Sequence, residues 1–128
     1  MPDIATKETR TQARRLRRRG QYRAVYEHGR RRPGPHFVLF VRPAPAGESE
    51  SRVGIAASRQ LGGAVARNRL RRRLREVVRR NWTALPAGWH VVIHPRREAA
   101  AADFAVLEEE WRRALAQLGA ARQRDHRS

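Results

Sequence analysis

Between Arg67 and Arg80 the run Arg-Asn-Arg-Leu-Arg-Arg-Arg-Leu-Arg-Glu-Val-Val-Arg-Arg holds eight arginines and a single acid, Glu76. Guanidinium groups are planar, fork-shaped donors that match the paired oxygens of a phosphate, so the chemistry on offer is phosphate binding rather than bond making. A solvated arginine face is normally offset by acids three or four residues away. Glu76 alone cannot offset eight cations, and a phosphate backbone can. Leu70, Leu74, Val77 and Val78 recur at the spacing that seats one helix face on a core. At about 100° per residue, Asn68, Arg69, Arg71, Arg72, Arg75 and Arg79 fall away from that stripe, with Arg73 and Arg80 at its border. Asn68, flanked by Arg67 and Arg69, adds an amide able to hydrogen-bond a base edge or a 2′-hydroxyl.

A second set of residues is aromatic. Phe40 alternates with Phe37, Leu39 and Val41 and so projects from the opposite face of a strand. A following run places Gly54, Ala56 and Ser58 on one face, small residues that leave room there for a flat ligand. Tyr22 and Tyr26 share one face of a short helix, a spacing that serves stacking and ordinary core packing equally. His90 and His94 alternate onto one strand face, but no third ligand accompanies them, so they read as surface or RNA-facing residues rather than a metal pair. His28 has no Ser, Cys or carboxylate constellation around it to make it a catalytic base. Glu108-Glu109-Glu110 is the one acidic cluster, and it stands early in a helix, where negative charge suits the dipole and reads as structural.

These groups need only a small scaffold. The 128 residues suffice for one domain with a modest core. The net charge of +17 calls for a polyanionic partner, and nucleic acid is the default. Lys7 is the single lysine among 29 cationic residues, so arginine chemistry dominates. The absence of cysteine excludes disulfides and thiolate sites, and no apolar run is long enough for a membrane span or a signal peptide; a cytoplasmic setting is expected.

Residues 1–15 are expected to form a flexible basic tail, 16–119 a single α+β domain, and 120–128 a second flexible tail. The patterning predicts a short helix between Gly20 and Gly29, a strand over 36–42, a strand over 52–58, a long helix from about Ala64 to Ala84 and a strand over Trp89–His94. A last helix is predicted from Asp103, its cap, to Leu118, with Gly119 as its stop. The two strands flanking the Pro- and Gly-bearing stretch Arg42–Ser51 are expected to pair antiparallel as a hairpin. The long helices would cover the greasier sheet face and leave the other at least partly open.

Arg67-Asn68-Arg69, followed by Arg71-Arg72-Arg73-Leu74-Arg75-Glu76 and preceded by Ser58-Arg59 and Gly62-x-Ala64-Val65, resembles the signature of the bacterial ribonuclease P protein subunit. Tyr22-Arg23-Ala24-Val25-Tyr26-Glu27-His28-Gly29, Phe37-Val38-Leu39-Phe40 and Arg52-Val53-Gly54-Ile55 extend the likeness over about residues 14–118. Gly63 stands where that family usually has Asn and Gln60 where it has a basic residue, which predicts fewer RNA contacts from this loop. The first-helix aromatics are Tyr where Phe is common, which keeps stacking and adds a hydroxyl.

The resemblance implies a two-layer, ribosomal S5 domain 2-like α+β sandwich. Its four-stranded sheet would have a left-handed crossover through the basic helix, against the right-handed rule that governs most such connections. The fourth strand would fall near Arg30 to His36. The implied function is to bind a catalytic RNA together with precursor tRNA and to promote endonucleolytic removal of the 5′ leader. The RNA would act as catalyst and hold Mg²⁺ on its phosphates, and no catalytic side chain is expected on this chain. Arg67, Asn68, Arg69, Arg71, Arg72, Arg73 and Arg75 would hold the catalytic RNA. Tyr22, Tyr26 and Phe40 would stack on the leader while Arg15, Arg17, Arg59 and His28 neutralise its phosphates. Like-charge repulsion disfavours a dimer, so one protein per RNA is expected. A structural RNA-binding protein of the ribosome or its assembly is the alternative, and a nonspecific DNA-compacting protein is a weaker one, because duplex condensation needs no stacking platform.

Overall fold

A computed structural model describes residues 14–127, with side chains through Gly119. The first helix, α1 (Arg19–His28), buries Val25 completely and begins where Gln21 Oε1 accepts the backbone N–H groups of Arg17 and Arg18 at 2.8 and 3.1 Å. It ends at Gly29, where any Cβ would lie 2.3 Å from the Val25 carbonyl oxygen and 2.6 Å from that of Val41. Only glycine allows the chain to turn this closely against the sheet.

The strands are β1 (Arg30–Pro33), β2 (Phe37–Pro43), β3 (Arg52–Ile55) and β4 (Trp89–Pro95), in spatial order β1-β2-β4-β3. The short strand expected near Arg30 is β1, antiparallel to β2. β2 and β3 are not the antiparallel pair that their alternation suggested. β4 lies between them, antiparallel to β2 and parallel to β3. The physical reason is in β4 itself: Trp89, Val91 and Ile93 on one face and His90 and Val92 on the other are all buried, the pattern of a central strand. Arg42–Ser51 is therefore no hairpin but a strap over the start of β4. Ala44 N–H donates to the Gly88 carbonyl, the Ser51 hydroxyl donates to the Pro86 carbonyl, and Trp89 N–H donates to the Ser51 hydroxyl. β3 also stops at Ile55, short of Ser58, which precedes a 3₁₀ turn at Arg59–Leu61.

The crossover from β3 to β4 runs through α2 (Ala64–Arg80). It ends four residues before the expected Ala84 because Asn81 is buried and used outside the helix. The Asn81 amide nitrogen donates to Val77 O and Glu108 Oε2, and its oxygen accepts from Arg112. A 3₁₀ turn, Trp82–Ala84, follows. The last helix, α3 (Phe104–Arg127), begins just after Asp103 and does not stop at Gly119. Leu115 and Leu118 are buried on the turn before this glycine, and their packing outweighs the roughly 1 kcal/mol that an internal glycine costs.

The main core lies between one sheet face and the two long helices. Phe37, Leu39, Val41, Val91 and Ile93 meet Leu70, Leu74 and Val77 of α2 and Leu107, Trp111 and Leu115 of α3. α1 lies on the other face over a small core of Leu16, Val25 and Val92, with Tyr22, Phe40 and Ala56 packed beside it. The backbone of Arg14–Leu16 runs along the outer edge of β3: Val53 N–H donates to Arg14 O at 2.8 Å and Leu16 N–H donates to Val53 O at 3.2 Å.

Candidate nucleic-acid interface

The α2 stripe does what its spacing requires. Leu70, Leu74, Val77 and Val78 are buried, and the intervening arginines are turned outward or half-covered. Arg71 Nη1 donates to Asn68 Oδ1 at 3.0 Å, which fixes the Asn68 amide one turn into the helix. The eight arginines are not equivalent. Arg79 pairs with Glu76, and Arg80 sits 3.7 Å from Glu108 and 5.0 Å over the Phe104 ring. Arg73 donates to the carbonyls of Ala99 and Ala100 at 3.0 and 2.8 Å and to that of Ala102. Its guanidinium thus caps the turn before α3 instead of facing outward with its neighbours. Arg67, Arg69, Arg71, Arg72 and Arg75 remain without a carboxylate partner among the described ion pairs.

The residues expected to form one aromatic cleft open onto two neighbouring depressions, with Tyr22 lining both. Tyr22 belongs with Arg15 in a small pocket of about 80 Å³ between the Arg14–Leu16 segment, β3 and the second half of α2. Arg14, Arg75 and Arg79 ring it, and Val53, Ile55, Val78 and Trp82 supply apolar walls. The Arg14 guanidinium lies 4.5 Å over the Trp82 ring. Burial, together with the nearby charges of Arg15 and Arg71, pulls the Arg75 pKa below the ordinary guanidinium value. Burial likewise raises the Tyr22 phenol. Gly54 leaves no space for a base here, because a Cβ at that position would stand 2.5 Å from the Tyr22 hydroxyl. The small residue accommodates the protein's own tyrosine and not a ligand.

Tyr26 and Phe40 form the other place, with His94 as a third ring. Tyr26 and Phe40 meet edge to face at 5.2 Å, Phe40 and His94 at 4.9 Å, and Tyr26 and His94 at 5.4 Å. Tyr26 is 41% exposed, a large ring left open to solvent above a half-buried Phe40. Arg17, Arg19 and Arg23 line a shallow depression with Tyr22 and Tyr26. His28 is exposed on the last turn of α1, and Arg59 is exposed in the 3₁₀ turn after β3.

His90 is not a surface or RNA-facing residue: it is 1% exposed, and its Nε2 lies 3.5 Å from Glu48 under the strap. The strap closes over this half of the strand face, and burial lowers the His90 pKa. Glu108 and Glu110 are structural, but as long-range ties. Glu108 holds Asn81, and Glu110 accepts the backbone N–H groups of His36 and Phe37 and faces His36 Nδ1 at 2.8 Å. Reading the sequence missed Arg14 and Trp82 in the pocket, because nothing local reports that the Arg14–Leu16 segment docks on β3. It also left His94 outside the aromatic set, although alternation does place it on the face from which Tyr26 is reached.

A mixed four-stranded sheet covered on one face by two helices, one of them the arginine-rich crossover, defines a small basic α+β protein. The family model for ribonuclease P matches residues 11–119. The ribonuclease P protein component of Acidothermus cellulolyticus is 38% identical over 104 residues, covering 81% of this chain and 87% of that one. The corresponding protein of Desulfovibrio desulfuricans is 41% identical over 98 residues, covering 75% of each. Among solved structures, the ribonuclease P protein of Thermotoga maritima superposes with a TM-score of 0.72 at 32% identity, over 80% of this chain and 96% of that one. A Staphylococcus aureus ribonuclease P protein, at 18% identity and a TM-score of 0.75, shares the fold over 92% of this chain and 98% of that one. The chain belongs to the family of ribonuclease P protein components, and with it to tRNA processing. No helix among the described residues is long and apolar enough to cross a membrane.

Proposed function

We propose that this chain binds the catalytic RNA of ribonuclease P through Arg67, Asn68, Arg69, Arg71, Arg72 and Arg75, and receives the 5′ leader of precursor tRNA on the α1 face of the sheet. It would thereby promote endonucleolytic release of the leader. The observation that carries this reading is the lack of internal counter-charge: five arginines on one helix have no carboxylate among the described ion pairs, while Glu76 is already paired with Arg79. Arg73 is left out of the RNA-facing set because backbone carbonyls occupy it.

On the leader side, Tyr26 and Phe40 supply ring surface for unpaired bases, a mode that tolerates any sequence and so suits varied leaders. Arg17 lines a depression with Tyr26, and Arg59 and His28, both exposed, would contact the leader phosphates beyond it. Tyr22 and Arg15 would act from the neighbouring pocket, on the border between the two RNAs. In this reading Mg²⁺ is held mainly by RNA phosphates and none tightly by the protein, whose best-placed acids, Glu108 and Glu110, are engaged by Asn81 and by the backbone of His36 and Phe37. One protein acts per RNA, in the cytoplasm. Cleavage of precursor tRNA by the cognate RNA at low Mg²⁺, with and without the chain, tests it. Faster cleavage with the chain is expected. No acceleration, or copurification with ribosomal RNA alone, overturns it.

A further inference from the structure

We infer that Arg31 is a phosphate contact for the single strand that crosses the Tyr26–Phe40–His94 surface. This rests on the leader reading above and adds a residue at the β1 edge of the sheet. The register carries the argument. Arg31 is the direct cross-strand partner of Phe40, Phe40 of Val92, and Val92 of Gly54, so one row runs across all four strands. Residues directly opposite in such a ladder project from the same face, with Cβ atoms about 5 Å apart. Arg31 is therefore delivered beside the Phe40 ring on the α1 side, whereas Arg30 and Arg32, opposite Val41 and Leu39, project to the other side.

Three further observations favour a ligand contact. Arg31 is exposed, and none of the ion pairs among the described residues involves it. The chain passes directly from His28, the last residue of α1, through Gly29 into β1, which keeps Arg31 close to the α1 end that carries Tyr26. The Arg15 end of the leader set lies toward the opposite edge, where the Arg14–Leu16 segment follows β3. Arg31 thus supplies a guanidinium at the β1 margin of the Tyr26–Phe40 surface, while Val92 and Gly54 further along the row are covered by α1 and Tyr22.

The adjacent arginines provide the test. Binding of precursor tRNA and of mature tRNA to the holoenzyme is measured across a salt series for Arg31→Ala, Arg30→Ala and Phe40→Ala. Arg31→Ala is expected to weaken precursor tRNA roughly three- to tenfold, to lower the salt slope by about 0.7, and to leave mature tRNA unchanged. Arg30→Ala is expected to change neither, and Arg31→Lys to restore most of the affinity. Equal effects of Arg30→Ala and Arg31→Ala would mean that bulk charge acts and not the face, which overturns the inference. An effect of Phe40→Ala without one of Arg31→Ala also overturns it but leaves the leader reading standing. No effect of either variant removes both.

Discussion

The Tyr26 hydroxyl and His94 Nε2 lie 2.6 Å apart, joining α1 to the central strand across the edge of the Phe40 ring. Burial lowers the His94 pKa, so the ring is neutral in the folded protein and Nε2 can accept from the phenol. With the folded pKa below the unfolded value near 6.5, the unfolded chain binds more protons between the two. Stability is full above about 6.5 and is lost as pH falls toward the folded value. His90, also lowered by burial, adds to the same trend. Urea midpoints are expected to fall as pH drops from about 7.5 to about 5.5, and His94→Gln is expected to reduce that dependence while His90 retains its share. A variant with the full wild-type pH dependence would count against the bond.

Replacing Arg67 and Arg69 with Ala should flatten the salt dependence of catalytic RNA binding, by about 0.9 for each phosphate no longer neutralised if duplex behaviour transfers to this RNA. Arg73→Ala should act on stability instead. Removing a donor from the carbonyls of Ala99, Ala100 and Ala102 is expected to cost about 1–3 kcal/mol of folding stability with the salt slope unchanged. Denaturant titration and filter binding on the same two proteins separate these outcomes.

Phe40→Ala is expected to weaken precursor tRNA by about 1–3 kcal/mol, the worth of one stacked base, with mature tRNA little affected. Equal weakening of both would show that Phe40 serves folding and not the leader.

Gly54→Ala should displace Tyr22, because the new methyl would stand 2.5–2.7 Å from the phenol oxygen and its neighbouring ring carbons. Overpacking of this kind typically costs about 1–3 kcal/mol. Adding Tyr22→Ala should recover part of that stability, and a double-mutant cycle in urea reads the coupling. Strict additivity would show that the two positions do not collide.

Much of the fold was legible because periodicity reports burial one element at a time. Val25 in α1, the Leu70–Val78 stripe of α2 and the alternation of Phe37, Leu39 and Val41 all face where their spacing places them. Pairing was less legible. Phe40 and Gly54 do share a face, but alternation cannot show that β4 stands between them, and the space above Gly54 is filled by Tyr22. Helix ends were misjudged where long-range contacts decide them: Asn81 leaves α2 to meet Glu108 and Arg112, and the buried Leu118 carries α3 past Gly119. Within the candidate site, the arginine content of α2 was plain, but which arginine is occupied by the protein itself depends on the Ala99–Ala102 turn, a neighbour remote in sequence from Arg73.

Arg14–Leu16 along β3, and the three consecutive arginines with a proline of β1, occupy the two margins of the sheet. Each margin is thereby unfit to recruit a further strand, one by occupancy and the other by charge and a missing amide hydrogen. The chain thus carries its own guard against edge-to-edge aggregation, and on the β1 side like-charged guanidinium groups keep copies of it apart.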